Sequence, residues 1–133
     1  MKRICVCGHE EFRRTISLTQ TLRHDGIDYE VTVVVDVWLC DRCGDEWASI
    51  DDEAGKVIDD ELRRMAGIMS PEEMREHRAR LGETVAETAK SIGVSKELLE
   101  RWESGMQMQS RSADRFLRCY FGMKSLRDVL KTF

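Results

Sequence analysis

Apolar residues alternate with polar ones over Ile27, Tyr29, Val31, Val33, Val35, Val37 and Leu39. A period of two over this length predicts a strand with one buried face. The preceding stretch, Phe12–Leu22, carries Ile16, Leu18 and Leu22 with mostly polar residues between. Between the two runs His24-Asp25-Gly26 is a turn signal, because glycine tolerates positive φ. The pattern is that of a long hairpin whose two outer ends lie together. The period changes after Asp51, where Ala54, Val57, Ile58, Leu62 and Met65 share one helical face. Asp51, Asp52 and Glu53 fall in the first turn of that helix, where they suit its dipole. Gly67 and Met69-Ser70-Pro71 break the pattern. They divide the chain into a β-rich part over 1–68 and a second part over 69–133.

The second part reads as all helix. Ser70 caps a helix with Pro71 at its first position, running to about Arg80 and ended by Gly82. Thr84 caps a second from Val85 to Ser91, with Gly93 as the turn. Ser95 caps a third from Lys96 to about Glu103, ended by Gly105. A fourth covers about Ser112 to Phe121, and a short fifth Ser125 to Lys131. The expected fold class is α+β: a β-hairpin domain with one helix, then five helices.

The hairpin gives the cysteines their meaning. Cys5-Val6-Cys7-Gly8 precedes it and Cys40-Asp41-Arg42-Cys43-Gly44 follows it. Two such turns at one end of a hairpin can point four thiolates at one centre, the tetrahedral arrangement Zn²⁺ prefers. Cys5, Cys7, Cys40 and Cys43 are the expected ligands of a structural zinc, and His9 is the alternative to Cys5. A four-ligand site leaves no position open for water, which argues against a zinc enzyme. A redox Cys-x-x-Cys is disfavoured because that motif opens a helix after a strand. Cys119, between Phe116 and Tyr120, reads as a small core residue, and His24 and His77 as surface residues.

Charge divides the chain in the same place. Residues 1–68 hold nine Lys/Arg and fifteen Asp/Glu, a net of −6; residues 69–133 hold twelve and ten, a net of +2. The first part suits a basic protein partner and the second a nucleic-acid backbone. No stretch approaches the ~18 apolar residues of a membrane span, and no signal peptide opens the sequence. The expected location is the cytoplasm, where thiols stay reduced and bind metal.

The second and third helices of the second part, joined at Gly93, form a helix-turn-helix pattern. Ala89 is small where the helices approach, and Val85, Ile92, Val94, Leu99 and Trp102 supply a core. The third helix of such a unit enters the DNA major groove. Its outward residues are Lys96, Glu97, Glu100 and Arg101. Arg101 is the base-contact candidate because arginine reads guanine O6 and N7 bidentately, with an ion pair to Glu97 as the alternative. Ser95 can meet a phosphate, and Arg111, Arg115 and Arg118 can flank the duplex. Of the apolar residues at the C-terminal end (Phe116, Leu117, Tyr120, Phe121, Leu126, Val129, Leu130 and Phe133), some pack within the domain and the remainder suit a two-fold homodimer matched to a palindromic operator, with a purely internal core as the alternative.

The stretch from about Glu73 to Phe121 resembles the Xre/Cro family of bacterial DNA-binding domains. The resemblance rests on Thr84-x-x-x-x-Ala89-x-x-x-Gly93-Val94-Ser95 and on Arg101-Trp102-Glu103-x-Gly105. Val85 stands where that family often has glutamine. With the zinc hairpin in front, the whole chain resembles the MqsA family of antitoxins, whose first part is a YgiT-type zinc finger. Cys7-Gly8, the Cys40–Gly44 knuckle, Trp47 and the acidic helix carry that likeness. In that family the first cysteine pair usually has two intervening residues, and an asparagine near the start of the recognition helix reads DNA; here Lys96 or Glu97 stands there. The resemblance implies a type II antitoxin. Its zinc domain would neutralise a small basic toxin, often a ribonuclease, and its helical domain would repress its own operon. The rival reading is a stand-alone zinc-containing repressor without a toxin.

Overall fold

The computed structural model describes residues 3–133, and residues 44–49 by their strand only. The side chain of Trp47 therefore lies outside the described residues. The architecture is mixed α+β, an antiparallel sheet followed by helices. Four strands lie in the order β1 (Arg3–Ile4), β2 (Glu10–His24), β3 (Ile27–Cys40) and β4 (Gly44–Ser49). Among the described residues six helices follow: α1 (Asp52–Ala66), α2 (Pro71–Leu81), α3 (Val85–Ile92), α4 (Lys96–Ser104), α5 (Arg111–Gly122) and α6 (Lys124–Leu130). Two compact units result, 1–62 and 63–133, and the division falls inside α1.

In the first unit β2 and β3 pair in one unbroken register from Glu11 opposite Cys40 to His24 opposite Ile27. The connection is the two-residue turn Asp25-Gly26, with φ of 53° and 78°. Positive φ at both central residues is the turn whose twist matches the flanking strands. The alternation of β3 is realised in burial: Val31, Val33, Val35, Val37 and Leu39 are buried, while Thr32, Val34 and Asp36 are exposed. α1 buries Ala54, Ile58 and Leu62, spaced four apart on one stripe, and leaves Val57 and Met65 exposed. Asp51 is not in the first turn but caps it, accepting from the Ala54 amide at 2.9 Å.

The second unit has its own core of Met69, Met74, Ala89, Leu99, Trp102 and Leu117. Val85, Ile92, Val94 and Phe121 pack against it. Its helices are bounded by side-chain chemistry. Ser70 and Thr84 each form a reciprocal capping box with the glutamate three residues on, Glu73 and Glu87. Ser95 and Ser110 cap α4 and α5. Cys119, expected in this core, is exposed instead, because α5 turns Leu117 and Tyr120 inward. His77 is half-buried, stacked on Phe121 at 5.2 Å between ring centroids.

Candidate metal centre and helical face

The two cysteine turns meet at one end of the sheet. In the first, the Cys5 amide donates to the His9 carbonyl at 2.8 Å and the Gly8 amide to the Cys5 carbonyl at 2.9 Å. Gly8 closes this turn at φ 92°, a region that disfavours side-chain-bearing residues. The second turn links β3 to β4, where Cys40 pairs with Gly44. The register that sets Glu11 beside Cys40 carries the Cys5–His9 turn to the Cys40–Cys43 turn. Neither β1 nor β4 is evident in the hydrophobic pattern, since both are too short to show a period. They fasten the two turns to the hairpin.

All four sulfurs lie within 4.8 Å of one another. Cys5 Sγ is 3.6 Å from Cys43 Sγ, and Cys7 Sγ is 3.5 Å from Cys40 Sγ. Four thiolates about 2.3 Å from a tetrahedral Zn²⁺ stand about 3.8 Å apart, so the cluster has the size for this ion. None of the four is in a disulfide. Cys5 and Cys40 are buried, Cys43 is half-buried and Cys7 is exposed.

The thiols are not equivalent. Cys7 is pulled down to about 6, first by the His9 backbone N–H and then by the Cys40 thiol. Cys43 is pushed up to about 12 by its hydrogen bonds with Cys5 and Cys7, aided by burial. Cys5 also sits above its ordinary value: the Cys7 backbone N–H favours its thiolate, but the Cys7 thiol and burial outweigh it. The thiolate form is thus favoured at Cys7 and disfavoured at Cys5 and Cys43. His9 is not among the converging groups; its Nδ1 approaches only Cys7 Sγ, at 4.0 Å.

Beside this centre Trp38 lies under two arginines, with Arg3 4.8 Å and Arg13 5.5 Å from the ring centroid. Arg13 also faces Asp36 and Asp51 at 3.6 Å and Glu53 at 3.9 Å. Sequence reading did not single out this group, because its members lie on separate elements and only the hairpin register joins them.

In the second unit α3 and α4 meet at Gly93, in the left-handed conformation at φ 81°. Lys96, Glu97, Glu100 and Arg101 are exposed on α4. Lys96 pairs with Glu100 at 3.7 Å. Arg101 donates to Gln107 Oε1 at 3.1 Å, so its recorded partner is Gln107 and not Glu97. Ser95 Oγ accepts from the Leu98 amide at 3.1 Å, capping α4 through an oxygen lone pair and not through its O–H. Arg111 opens α5 and is half-buried. Arg118 is held by Asp114 at 2.7 Å.

Two buried polar groups hold these helices in place. Arg78 grips the Glu103 carboxylate with Nε and Nη2 at 2.9–3.1 Å. Glu83 accepts from Tyr120 at 2.7 Å and Thr88 at 2.8 Å, and pairs with Lys131 at 3.0 Å. Burial alone would raise the Glu83 carboxyl, but these three donors outweigh it and hold it below the usual range.

Among the described residues, no helix is long and apolar enough to cross a membrane. No family model matches the chain, and neither a curated protein nor a solved structure matches it.

Proposed function

We propose that this protein is a zinc-containing, DNA-binding transcriptional regulator, and specifically the antitoxin of a type II toxin–antitoxin pair. The reading is carried by one combination: a four-cysteine centre at the base of an acidic hairpin, in the same chain as a separately cored helical unit. The capped α3–Gly93–α4 segment supports a helix-turn-helix of the Xre/Cro kind. The size of the sulfur cluster and its all-thiolate donors support Zn²⁺ over harder ions such as Mg²⁺ or Ca²⁺. The metal's role is structural: it holds two turns together and offers no open position to a substrate.

In this reading α4 lies in the major groove. Lys96, Glu97, Glu100 and Arg101 face the bases, and Ser95 and Arg111 lie near the backbone. For Arg101 to reach guanine it must exchange its bond to Gln107 for one to the base. Phe116, Met123, Val129 and Phe133 are exposed at the C-terminal end. They support a homodimer, which would read a palindrome with half-sites about one helical turn apart. The acidic first unit is the part that would take up a basic toxin, such as a small ribonuclease.

Purification of the tagged protein from its host tests this directly. The expected result is a co-purifying small basic protein whose expression alone arrests growth, together with a footprint in the protein's own promoter. A footprint with no such partner would replace the antitoxin reading with that of a stand-alone repressor. Neither a footprint nor a partner would end both.

A further inference from the structure

We propose that the open edge of β3, from Asp28 to Asp36, takes up an extended basic segment of a protein partner as an added strand. This rests on the reading that the first unit binds a basic protein, and it names the surface and the mode. The two-residue turn makes His24 and Ile27 a hydrogen-bonded pair, so the odd-numbered residues of β3 direct their backbone groups to β2. The even-numbered residues direct theirs away. Trp38 and Cys40 spend them on β4. Asp28, Glu30, Thr32, Val34 and Asp36 have no strand on that side among the described residues. The open stretch is about 27 Å long at ~3.4 Å per residue.

An unpaired edge of this length is a ready template for another chain. Its side chains say which chain. The five outward residues are all exposed, and three are carboxylates, of which Asp28 faces Arg23 at 3.8 Å. At one end, Val34, Val35 and Asp36 line a notch of about 180 Å³ with Arg13 and, from α1, Glu53, Ala54 and Val57. Val34 and Val57 are exposed apolar surface there. A lysine or arginine of an added strand can lay its apolar stem on the two valines and its charge between Asp36 and Glu53. Arg13 faces both carboxylates and Asp51, at 3.6–3.9 Å, and Arg3 also acts on Asp51, so three carboxylates meet two arginines there and a negative excess remains.

A second copy fits the edge poorly. Two-fold pairing about Thr32 would set Asp28 opposite Asp36 of the other copy, like charge against like. Pairing β3 with the β2 edge of another copy would match charges but would not close, giving an open stack.

The test uses the zinc-loaded full chain and, as probe, a blocked decapeptide of alternating lysine and valine. Its control is the same peptide with every backbone amide N-methylated. Binding and amide exchange are followed by NMR. The expected result is binding that slows exchange at Asp28, Glu30, Thr32, Val34 and Asp36, and that weakens about tenfold or more with the methylated peptide. Val34→Pro removes one outward donor without touching the β2 ladder, and should abolish binding while zinc content stays the same. Glu30→Lys is the second variant, weakening binding with no demand on the backbone. The proposal is overturned by no binding, by equal binding of the methylated peptide, or by protection elsewhere. Protection of these amides that depends on protein concentration and needs no peptide would also overturn it in favour of self-association. A native partner whose contacts spare β3 would sink this inference and leave the antitoxin reading intact. Absence of any partner, with the peptide results as expected, would do the reverse.

Discussion

Single side chains decide which group completes the metal cluster. Cys5 lies within the sulfur cluster, 3.6 Å from Cys43, whereas His9 approaches only Cys7. Cys5→Ser should therefore cost more zinc affinity than the roughly 10–100-fold typical of losing an outer-shell group, and His9→Ala should stay within or below that range. Competition with a chromogenic chelator measures both; the reverse order would restore His9 as a ligand. Glu83 supports a second prediction. Its folded carboxyl sits below its unfolded value, so it adds stability above the unfolded pKa, about 4.3. That stability is lost as pH falls below this value. Glu83→Gln leaves Tyr120, Thr88 and Lys131 poorly matched and should cost the helical unit about 1–3 kcal/mol near pH 7. The loss should shrink as the pH is lowered from 5 to 3. Urea unfolding across that range checks the sign, and a pH-independent loss would show that packing, not charge, is what Glu83 supplies. No sequence pattern marks Glu83, because its partners are scattered over α3, α5 and the C-terminus.

Elements were legible where a period or a cap marks them. Val31 to Leu39 alternates so regularly that β3 is plain, and Ser70, Thr84 and Ser95 announce α2, α3 and α4 through their side-chain oxygens. The metal cluster was legible for the same reason: a hairpin must bring its two outer ends together. β1 and β4 were not legible, because β1 is two residues long and β4 six, too short to show alternation beside a metal turn. Cys119 misled because apolar neighbours in sequence are not neighbours on a helix; Phe116 and Cys119 face outward while Leu117 and Tyr120 face in. The α3–α4 turn carries the prediction at this scale. Gly93 holds φ 81° with nothing near its would-be Cβ, so the cost of a side chain there is conformational and not steric. Gly93→Ala should destabilise the helical unit by about 1–2 kcal/mol, and Ser95→Ala, which removes the α4 cap, by about 1 kcal/mol. Thermal melts followed by circular dichroism at 222 nm give both values. An unchanged melting temperature for Gly93→Ala would mean that the turn relaxes to another conformation.

The two units differ in what holds them together, and removal of metal should separate them. The helical unit buries Met69, Met74, Leu99, Trp102 and Leu117 in one cluster, and its buried carboxylates Glu103 and Asp114 are each matched by an arginine. It has no cysteine of the metal cluster and needs no metal to close its core. The first unit is a long ribbon whose neighbouring strands, among the described residues, pair at its cysteine end. Two-stranded ribbons are marginal in water without further support, and a structural metal contributes folding free energy that a small sheet cannot otherwise find. Without a metal, the protonated forms of Cys5 and Cys43 are favoured, and between the cysteine side chains of the two turns thiol contacts stand in for metal bonds. Chelation should therefore release the β1–β2 and β3–β4 turns first and melt the sheet with them, while α2–α6 stay folded. α1 crosses the division between Leu62 and Arg63, so its first turns should unfold with the sheet and its last turn should persist. Amide exchange before and after addition of a strong chelator resolves this along the chain. The expected result is loss of protection from Val31 to Leu39 with retention at Leu99, Trp102 and Leu117. Cooperative loss of both sets would mean that the units stabilise each other, and retention of both would mean that the ribbon needs no metal to stand.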